Sequence, residues 1–587
     1  MKRFDYQAQV RLAWLLLVLF TLFYAVFMSC ETVLRYETFK ATAFDLGNLD
    51  QVIWNTAHGR LFQFTNQGID YYGPPTRLAV HFEPIILLLA LLYVIHADPR
   101  VLLVFQTIVL ALGTLPVFLL TRKHIPQWPL LAALLAGAYL SMPSLLGLNL
   151  FDFHPVSLAT PLLLYAFLAL EQRRWGWTIV ACILAASTKE DVPFAVAMLG
   201  ILVIWRYKAP RLGTLLFVGG VLWGLMAFLV IIPHFYPGAQ HNNFWYRYES
   251  LGLGTTPGQA VSNILLHPWL IFVLLSTFIS VQRLYYLAGL LRNSGFLALL
   301  APEWLLPALP SLAINLLSTD PLLYSGIYQY NATIIPCVML ASIYGIRRAI
   351  AIWESWRGEK ALAAIERGHE TFWQSMRWLL APVFWLLGEK RALLMLTSLQ
   401  ASASSLVATP IVIRSRDTLS ERFEALRRRS TMQWQRLSAR MEPIACQTAL
   451  PRLQWFVYGW IVVMCVLNYI VIAPDLNSFW PDHLPGSREQ HIEQLLAMIP
   501  PDASVSAGDN LNPHLTERQY ITVFPSLTYA SSDRSLHNPV QYVIVDLNDV
   551  FPEDRVATAN TLYQLVNSGQ FRVLARAEGV ILLERRT

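Results

Sequence analysis

The feature that most constrains this chain is a series of apolar segments, each close to the length of a membrane-spanning helix. A helix needs about 20 predominantly apolar residues to cross the hydrocarbon core of a bilayer. Eleven segments are predicted to do so: 12–30, 101–121, 128–147, 156–171, 176–188, 193–206, 212–234, 264–282, 295–314, 331–346 and 453–473. The sequence therefore predicts a mainly α protein, built as a polytopic bundle of membrane helices.

The composition agrees with a membrane location for most of the chain. Of the 587 residues, 55% are hydrophobic and 14% are charged, whereas about 25% of the residues in an average soluble domain are charged. A soluble protein of this size still exposes much of its surface, and this composition cannot cover that surface with charge. The excess apolar surface is expected to face lipid, which excludes a wholly soluble protein.

The distribution of basic residues predicts an orientation. Lys2 and Arg3 precede the first apolar segment, which lacks a convincing cleavage site and is predicted to be an uncleaved anchor with a cytoplasmic N-terminus. The apolar run 84–95 is too short to cross and is predicted to be re-entrant or interfacial. The basic clusters between later spans then fall on the cytoplasmic side, as the positive-inside rule prefers. Residues 31–100 become one long extracytoplasmic loop.

A basic insert separates the last two predicted spans. Residues 347–452 contain 17 Lys and Arg against 9 Asp and Glu, a net charge of +8, while the whole chain carries +6. The excess positive charge therefore belongs to one cytoplasmic segment and does not indicate nucleic acid as a partner. The run 427–429 of three arginines suits the anionic headgroups of membrane lipids. The short apolar pieces of the insert are predicted to lie on the membrane.

After residue 474 the composition becomes that of a soluble domain. Alternating and helical apolar patterns predict a small α/β domain, with strands at 503–507, 520–524, 541–546, 571–576 and 579–584 and helices at 487–498 and 556–567. The predicted organisation is a transmembrane domain at 1–346, the insert at 347–452, a last span at 453–473 and the α/β domain at 474–587. With eleven spans, this domain lies outside the cytoplasm.

Ionisable residues collect at the outer ends of the predicted spans. Such residues are costly near a membrane, so their position is informative about function. The candidates are Asp45, Asp50, His81 and Glu83 in the first outer loop, Asp152 and His154 in the second, Lys189 beside Glu190 and Asp191 after the fifth span, and Arg247 in the outer loop 235–262. Separate outer turns thus direct carboxylates, imidazoles and cations toward one face.

These residue types support chemistry at that face. A carboxylate within hydrogen-bond reach of a hydroxyl or amine can act as a general base. Carboxylates and imidazoles together can hold a divalent cation such as Mg, Mn or Zn, with His81 and Glu83 as the candidate ligands. Lysine and arginine can neutralise a departing phosphate. The glycine-containing loop 235–262 is predicted to be a mobile lid.

Each candidate also has a purely structural interpretation. Asp50 can cap or solvate a helix beside the membrane, and His154 can be an ordinary interfacial histidine. Lys189 can pair with a neighbouring carboxylate, which lowers the cost of its burial. Asp45 has the weakest structural explanation, because a carboxylate that follows Phe44 at a membrane interface adds little to packing. The residues alone leave these alternatives open.

The outer-turn motifs resemble those of a known family. They are Phe44-Asp45-Leu46-Gly47 with Asp50-Gln51 and Trp54, His81-Phe82-Glu83-Pro84, Phe151-Asp152-Phe153-His154-Pro155, and Lys189-Glu190-Asp191. On these motifs the chain is identified as a member of the prokaryotic membrane-protein family called domain of unknown function 2079. The resemblance covers nearly the whole chain, including Asn510 to Arg518.

That family in turn resembles the GT-C superfamily of lipid-linked-sugar-dependent glycosyltransferases, such as protein O-mannosyltransferases and aminoarabinose transferases. The resemblance implies that Asp45 is the first acidic residue of such a site and Asp152 the second. Leu46 stands where mannosyltransferases have another acid, which weakens any metal site there. The insert 347–452 has no recognised counterpart.

Two further motifs carry this resemblance. Glu83-Pro84 lies where an acidic or basic residue precedes proline at a short re-entrant helix, so the resemblance also implies a helix that does not cross. Thr188-Lys189 resembles a Thr-Lys pair that follows the fifth span.

The leading hypothesis is an inverting membrane glycosyltransferase that takes a sugar from a polyprenyl-phosphate donor on the extracytoplasmic face and gives it to an acceptor. Asp45 is the expected base with Asp152 beside it, and the residues expected to bind the substrate and the donor phosphate are Lys189, Arg247, Asp50 and His154.

Two other classes remain open. A transporter or flippase of a lipid-linked or polar substrate would place ionisable groups near the bilayer midplane in repeat-related helices, but no internal repeat is recognised here. A non-catalytic envelope assembly protein is the other alternative. Convergence of Asp45, Asp152 and His81 in one cavity would favour the enzyme.

Overall fold

The computed structural model describes residues 6–67, 75–236, 246–254, 257–355, 450–530 and 537–586. The chain divides into two compact units, one formed by residues 1–343 with 458–587 and the other by residues 344–457. The second unit is described only by the parts of two long helices that enter it. The predicted basic insert 347–452, with its arginine run 427–429, lies almost entirely outside the described residues.

Helices make up most of the described chain, as predicted. Their bounds are Tyr6–Glu37, Asn48–Ala57, Ile86–Ile95, Pro99–Leu112, Thr114–His124, Pro129–Leu140, Pro143–Leu150, Ala159–Glu171, Trp175–Ala186, Val192–Tyr207, Pro210–Met226, Ile232–Phe235, Tyr246–Tyr248, Pro257–Leu266, Leu270–Thr277, Val281–Arg292, Leu309–Leu317, Ile334–Ser355, Leu450–Leu476, Ser487–Leu496 and Pro552–Asn567. Several begin at proline, whose fixed φ and missing N–H suit the first helical position. At Pro99 the start is reinforced by the Asp98 side chain, which accepts a hydrogen bond from the Arg100 amide.

Five of the described helices are long and apolar enough to cross a membrane, and seven spans result if each of two bent helix pairs forms one. The bent pairs are Pro129–Leu140 with Pro143–Leu150, at 46°, and Leu270–Thr277 with Val281–Arg292, at 56°. Three more predicted spans correspond to shorter apolar helices within 155–171, 175–186 and 192–207. The total of eleven spans stays a prediction.

One predicted span is not a single continuous helix. The stretch 295–314 does not form a continuous helix but two 3-10 segments, Leu297–Leu300 and Pro302–Ala308, before the helix Leu309–Leu317. Prolines at 302, 307 and 310 explain the difference, because each removes a backbone donor and clashes with the preceding helical turn. Hydropathy detects the apolar run but not this interruption.

The predicted re-entrant segment is a short helix, Ile86–Ile95, of ten residues. Its length of about 15 Å is half of the roughly 30 Å that a span requires. Leu89 and Tyr93 are buried on one face, whereas Leu88 and Leu91 are exposed on the other. One side therefore packs on protein while the other presents apolar surface.

The C-terminal region forms the predicted α/β domain. Its strands are β1 (Val505–Ala507), β2 (Ile521–Val523), β3 (Thr528–Ala530), β4 (His537–Pro539), β5 (Tyr542–Asp546), β6 (Phe571–Ala577) and β7 (Val580–Arg585). Five of them form a sheet in the order β2-β1-β5-β7-β6. The pairs β2-β1 and β1-β5 are parallel, and β5-β7 and β7-β6 are antiparallel. All five predicted strands are confirmed; the separate β3-β4 ribbon was not predicted.

The first outer loop packs into this domain. Phe39 is 3% exposed and belongs to the same hydrophobic cluster as Ile492 and Leu511. The Thr65 hydroxyl donates to the Ile521 carbonyl at 2.9 Å and accepts from the Ile521 amide at 3.0 Å. Residues of the loop thus run along the outer edge of β2. The first loop and the C-terminal domain therefore lie on the same side of the helix bundle.

Candidate active site

Asp45 lies in a single wide helical turn, Ala43–Gly47, that leads into the helix Asn48–Ala57. Its side chain keeps 27% of its surface exposed. The Asp45 Oδ1 atom lies 2.9 Å from His154 Nε2. Because an ionised carboxylate can only accept, His154 donates this hydrogen bond and fixes the orientation of the acid.

Asp152 joins the same cluster through Thr42. The Thr42 hydroxyl lies 3.1 Å from Asp45 Oδ2 and 2.7 Å from Asp152 Oδ2, and the Thr42 amide donates to Asp152 Oδ2 at 2.9 Å. Arg35 Nε lies 3.6 Å from the other Asp152 oxygen. The predicted pairing of Asp45, Asp152 and His154 thus corresponds to one hydrogen-bonded group built from two loops.

The environments of the two acids shift their pKa values in opposite directions. Burial alone would raise the pKa of Asp45, but the hydrogen bonds from His154 and Thr42 outweigh it and hold that pKa below its usual range. Burial raises the pKa of Asp152 even though Arg35 opposes the shift. Pairs of carboxylates separated in this way are typical of acid–base sites.

Exposure separates the roles of the two acids. The Asp152 side chain is 1% exposed, so a substrate that reaches Asp45 does not reach Asp152. Asp152 also adopts a φ of +53°, a left-handed conformation that is uncommon outside glycine but more accessible to Asp and Asn. The expectation that Asp152 acts directly on substrate is therefore revised, and the geometry fits a residue that orients Thr42 and Arg35.

Beside this acid cluster, Phe151, Tyr328 and Phe479 form an aromatic wall. The Phe151 ring lies 4.7 Å from the Tyr328 ring and 5.1 Å from the Phe479 ring, measured between centroids. The Phe151 ring also stacks on His154 at 5.7 Å. The acids therefore have an apolar boundary on one side, suited to a sugar face or a lipid.

Two cations meet at a second ring, Tyr330. The Lys189 ammonium lies 5.7 Å from the ring centroid and the Arg247 guanidinium 5.8 Å from it. Arg247 also lies 3.0 Å from Asp320. Burial would lower the pKa of Lys189, but Asp191 and Glu190 outweigh it and raise that pKa, so Lys189 remains charged. The predicted phosphate-binding pair is therefore brought together in space.

A short segment connects the cations to the acids. Tyr328 directly precedes the 3-10 turn Gln329–Asn331 and Tyr330 lies within it, so their Cα atoms are at most about 7 Å apart. The first ring contacts the aromatic wall beside Asp45, and the second contacts the two cations. One short segment of the chain therefore supplies a ring to each of the two groups.

The predicted metal ligands are engaged elsewhere. His81 Nδ1 lies 2.9 Å from Glu190 Oε1, and Arg77 Nε donates to Glu83 Oε2 at 2.8 Å. Among the described residues, no three His, Cys, Asp or Glu side chains are grouped so as to hold a metal ion. His81 and Glu83 thus have different partners in the structure, and the tentative metal site at these two residues stays a prediction. His81 also does not join Asp45 and Asp152.

Asp50 does not join the site either. It is fully buried, and its two oxygens accept hydrogen bonds from the hydroxyls of Tyr93 and Thr516. A carboxylate in this position cannot reach a donor phosphate. The structure instead agrees with the structural alternative for Asp50, as a link between the first loop, the re-entrant helix and the C-terminal domain.

Comparison with known families identifies the chain. A family model described as a predicted membrane protein, DUF2079, matches residues 35–365 and 432–582. The chain belongs to the DUF2079 family. This confirms the expected family and, with the long apolar helices, a multi-pass membrane protein.

No curated protein matches this DUF2079 chain. Among solved structures, the crystal structure of ArnT from Cupriavidus metallidurans bound to undecaprenyl phosphate is similar over 96% of this chain and 97% of the ArnT chain, with 14% sequence identity and a TM-score of 0.41.

Sequence reasoning missed several site residues of this DUF2079 protein. Arg35, Thr42, Tyr328 and Tyr330 carry no motif of their own, and Asp509, 466 residues after Ala43, accepts a hydrogen bond from the Ala43 amide at 2.9 Å. Asp509 immediately precedes the stretch 510–518 noted in the family resemblance, which was the only available signal. Residues 237–245 and 255–256 of the predicted lid lie outside the described residues, so the lid stays a prediction.

Proposed function

We propose that this protein is an inverting integral-membrane glycosyltransferase that uses a polyprenyl-phosphate sugar as donor on the extracytoplasmic face. The observation that carries the proposal is the partly accessible Asp45 carboxylate, hydrogen-bonded to His154, together with two cations that contact the Tyr330 ring two residues from Tyr328. Further support comes from the outer-turn motifs that resemble those of GT-C glycosyltransferases.

In the proposed reaction, Asp45 removes the proton from the acceptor hydroxyl or amine. The acceptor atom then attacks the anomeric carbon from the face opposite the phosphate, and the bond between that carbon and the phosphate oxygen breaks. The bonding electrons leave with the polyprenyl phosphate. The sugar is transferred with inverted configuration, and the proton remains on Asp45 until it is lost to water.

The remaining residues support these two events. His154 and Thr42 hold Asp45 ionised and oriented, while Asp152 orients Thr42. Lys189 and Arg247 stabilise the additional negative charge on the departing phosphate. The aromatic wall limits the access of water, which favours transfer over hydrolysis. Since the described residues do not provide a metal-ligand set, no step relies on a divalent cation.

The direct test is transfer by the purified protein with a panel of labelled polyprenyl-phosphate sugars and acceptors. We expect Asp45→Asn to lose at least about a thousandfold in rate, because it removes both the base and its charge, at an unchanged protein level. Asp475→Asn, a change at an exposed carboxylate, is the matched control. Retained transfer in Asp45→Asn would contradict the assignment of Asp45 as the base. Movement of the donor across the bilayer without sugar transfer would favour the flippase.

A further inference from the structure

The backbone amides at the start of the wide turn that carries Asp45 are bound by carboxylates from distant parts of the chain. At a helix N-terminus the first amides have no partner inside the helix, and here the N-cap residue Thr42 supplies no side-chain cap. The Thr42 amide instead donates to Asp152 and the next amide, that of Ala43, donates to Asp509 Oδ1 at 2.9 Å. Two carboxylates from distant parts of the chain therefore hold two consecutive amides directly before Asp45.

The segment that carries Asp509 follows the helical stretch 43–57 along its length. Three residues farther on, Asn512 exchanges two hydrogen bonds of 2.7 Å with Asn66, which itself donates to the Ala43 carbonyl. Farther still, the Thr516 hydroxyl donates to Asp50 at 2.6 Å. Contacts thus occur at the first residue of the stretch and at Asp50 in its middle, with Asp509 at the catalytic end.

Asp509 differs from the other two residues of the C-terminal domain that make these contacts. Asn512 and Thr516 are fully buried, so they account for the attachment of the domain. Asp509 is exposed and makes its contact at the residue two before Asp45. Desolvation of the Asp509 carboxyl group raises its pKa, and the negative charges of Asp152 and Asp45 add to the shift. The same cluster therefore includes a third acid that comes from the C-terminal domain.

We propose that Asp509 is a positioning residue of the active site, which sets the place of Asp45 by holding the Ala43 amide. This inference rests on the proposed function for its kinetic consequence, but not for the contact itself. The C-terminal domain then acts as part of the active site rather than as a separate partner-binding module. A misplacement of about 1 Å at a catalytic group can cost about a hundredfold in rate.

The experiment compares Asp509→Ala, Asp509→Asn and the control Asp554→Ala, at an exposed residue in the first turn of the helix Pro552–Asn567. We expect Asp509→Ala to lower kcat about thirtyfold or more with the KM for donor within about twofold, since geometry rather than binding changes. Asp509→Asn should stay within about fivefold, because its amide oxygen still accepts from Ala43. An equal loss of kcat in both variants would overturn the positioning role, since it would show that the negative charge of Asp509 is what matters.

A second readout does not depend on any activity. Amide hydrogen exchange at Ala43 should accelerate at least about tenfold in Asp509→Ala, because one hydrogen bond protects this amide, and should stay unchanged in Asp554→Ala. Unchanged exchange in Asp509→Ala would overturn the proposal. If the wild type transfers no sugar, the proposed function fails while this measurement still decides the contact.

Thermal stability distinguishes a residue that positions Asp45 from one that only attaches the C-terminal domain. Thr516→Val removes a buried hydrogen bond to Asp50 and should lower the melting temperature, whereas Asp509→Ala should leave it close to that of the wild type. A loss of melting temperature in Asp509→Ala as large as that in Thr516→Val would overturn the proposal, because it would make Asp509 a structural attachment only.

Discussion

His154 Nε2 lies 2.9 Å from Asp45 Oδ1, although 109 residues separate the two along the chain. This contact joins the first and second outer loops into one site and leaves Asp45 partly accessible. It also determines how a change at either residue should act.

Loss of the imidazole should impair transfer without removing the base. His154→Ala leaves Asp45 without its donor, so we expect a fall in kcat of about tenfold to a hundredfold. His154→Gln should retain more activity, because its amide N–H can still donate. Transfer assays on both variants test this, with His58→Ala at an exposed position of the first outer loop as control. Equal rates for His154→Ala and the wild type would contradict the assigned role.

The ring of Tyr330 should matter more than its hydroxyl for donor binding. Lys189 and Arg247 both lie within 6 Å of this ring, and a cation–π contact contributes about 0.5–2 kcal/mol. We expect Tyr330→Leu to weaken polyprenyl-phosphate binding by about threefold to thirtyfold, and Tyr330→Phe to leave it nearly unchanged. Titration calorimetry with polyprenyl phosphate measures both. A loss in Tyr330→Phe as large as in Tyr330→Leu would show that the hydroxyl is the important group.

Chelation should not abolish transfer. His81 and Glu83 are engaged with Glu190 and Arg77, and the described residues contain no group of three His, Cys, Asp or Glu side chains that could hold a metal ion. We expect the rate after dialysis against EDTA to stay within about twofold of the starting rate, since no predicted step uses a metal. Activity that disappears with EDTA and returns with Mg, Mn or Zn would contradict this arrangement.

Gly47 is required by a close approach of the C-terminal domain. A Cβ atom at this position would lie 2.5 Å from Asn512 Oδ1 and 2.9 Å from Asn66 Nδ2. We expect Gly47→Ala to lower the free energy of unfolding by about 1–3 kcal/mol and to reduce transfer. Gly176→Ala, where the added Cβ meets no atom within 4 Å, is the control in thermal unfolding. Equal stability of the two variants would count against this close contact.

His514 should make the stability of the protein depend on pH. Burial lowers its pKa to about 3, whereas an unfolded histidine titrates near 6.5. Between these values the unfolded chain binds more protons, so stability is complete above about pH 6.5 and falls by about 1.4 kcal/mol per pH unit below it.

The test is a comparison of melting temperatures from pH 7 to pH 5. We expect His514→Gln to have a smaller slope than the wild type, while the control His491→Gln, at an exposed residue, keeps the wild-type slope. Parallel slopes for the wild type and His514→Gln would contradict the neutral buried state.

Local patterns in the sequence predicted much of the fold. The short apolar runs of β5 and β7 identify strands because both of their faces are buried, and the short apolar run at Ile86–Ile95 identifies a helix that cannot span. A continuous helix was predicted at 295–314 and is not found, because hydropathy does not take account of prolines that interrupt a helix. Residues at the outer turns were identified because charge is costly there.

Roles were harder to predict than positions. Asp45 and His154 were predicted to belong to one site and are in contact, but Asp50, only five residues after Asp45, accepts a hydrogen bond from Thr516. His81 was grouped with the acids although Glu190 binds it. A sequence motif shows which residue type lies at a turn. It does not show which residue from another part of the chain binds it. The contribution of Asp509 depends on such a partner and could not be derived from spacing.

The hydrogen bond between Ala43 and Asp509 joins points 466 residues apart in the chain. During synthesis the ribosome must therefore complete almost the entire polypeptide before the turn at Asp45 receives its second cap. Nascent chains that still lack residue 509 hold the first loop without this restraint. The turn that carries Asp45 is thus expected to reach its final geometry only at the end of translation.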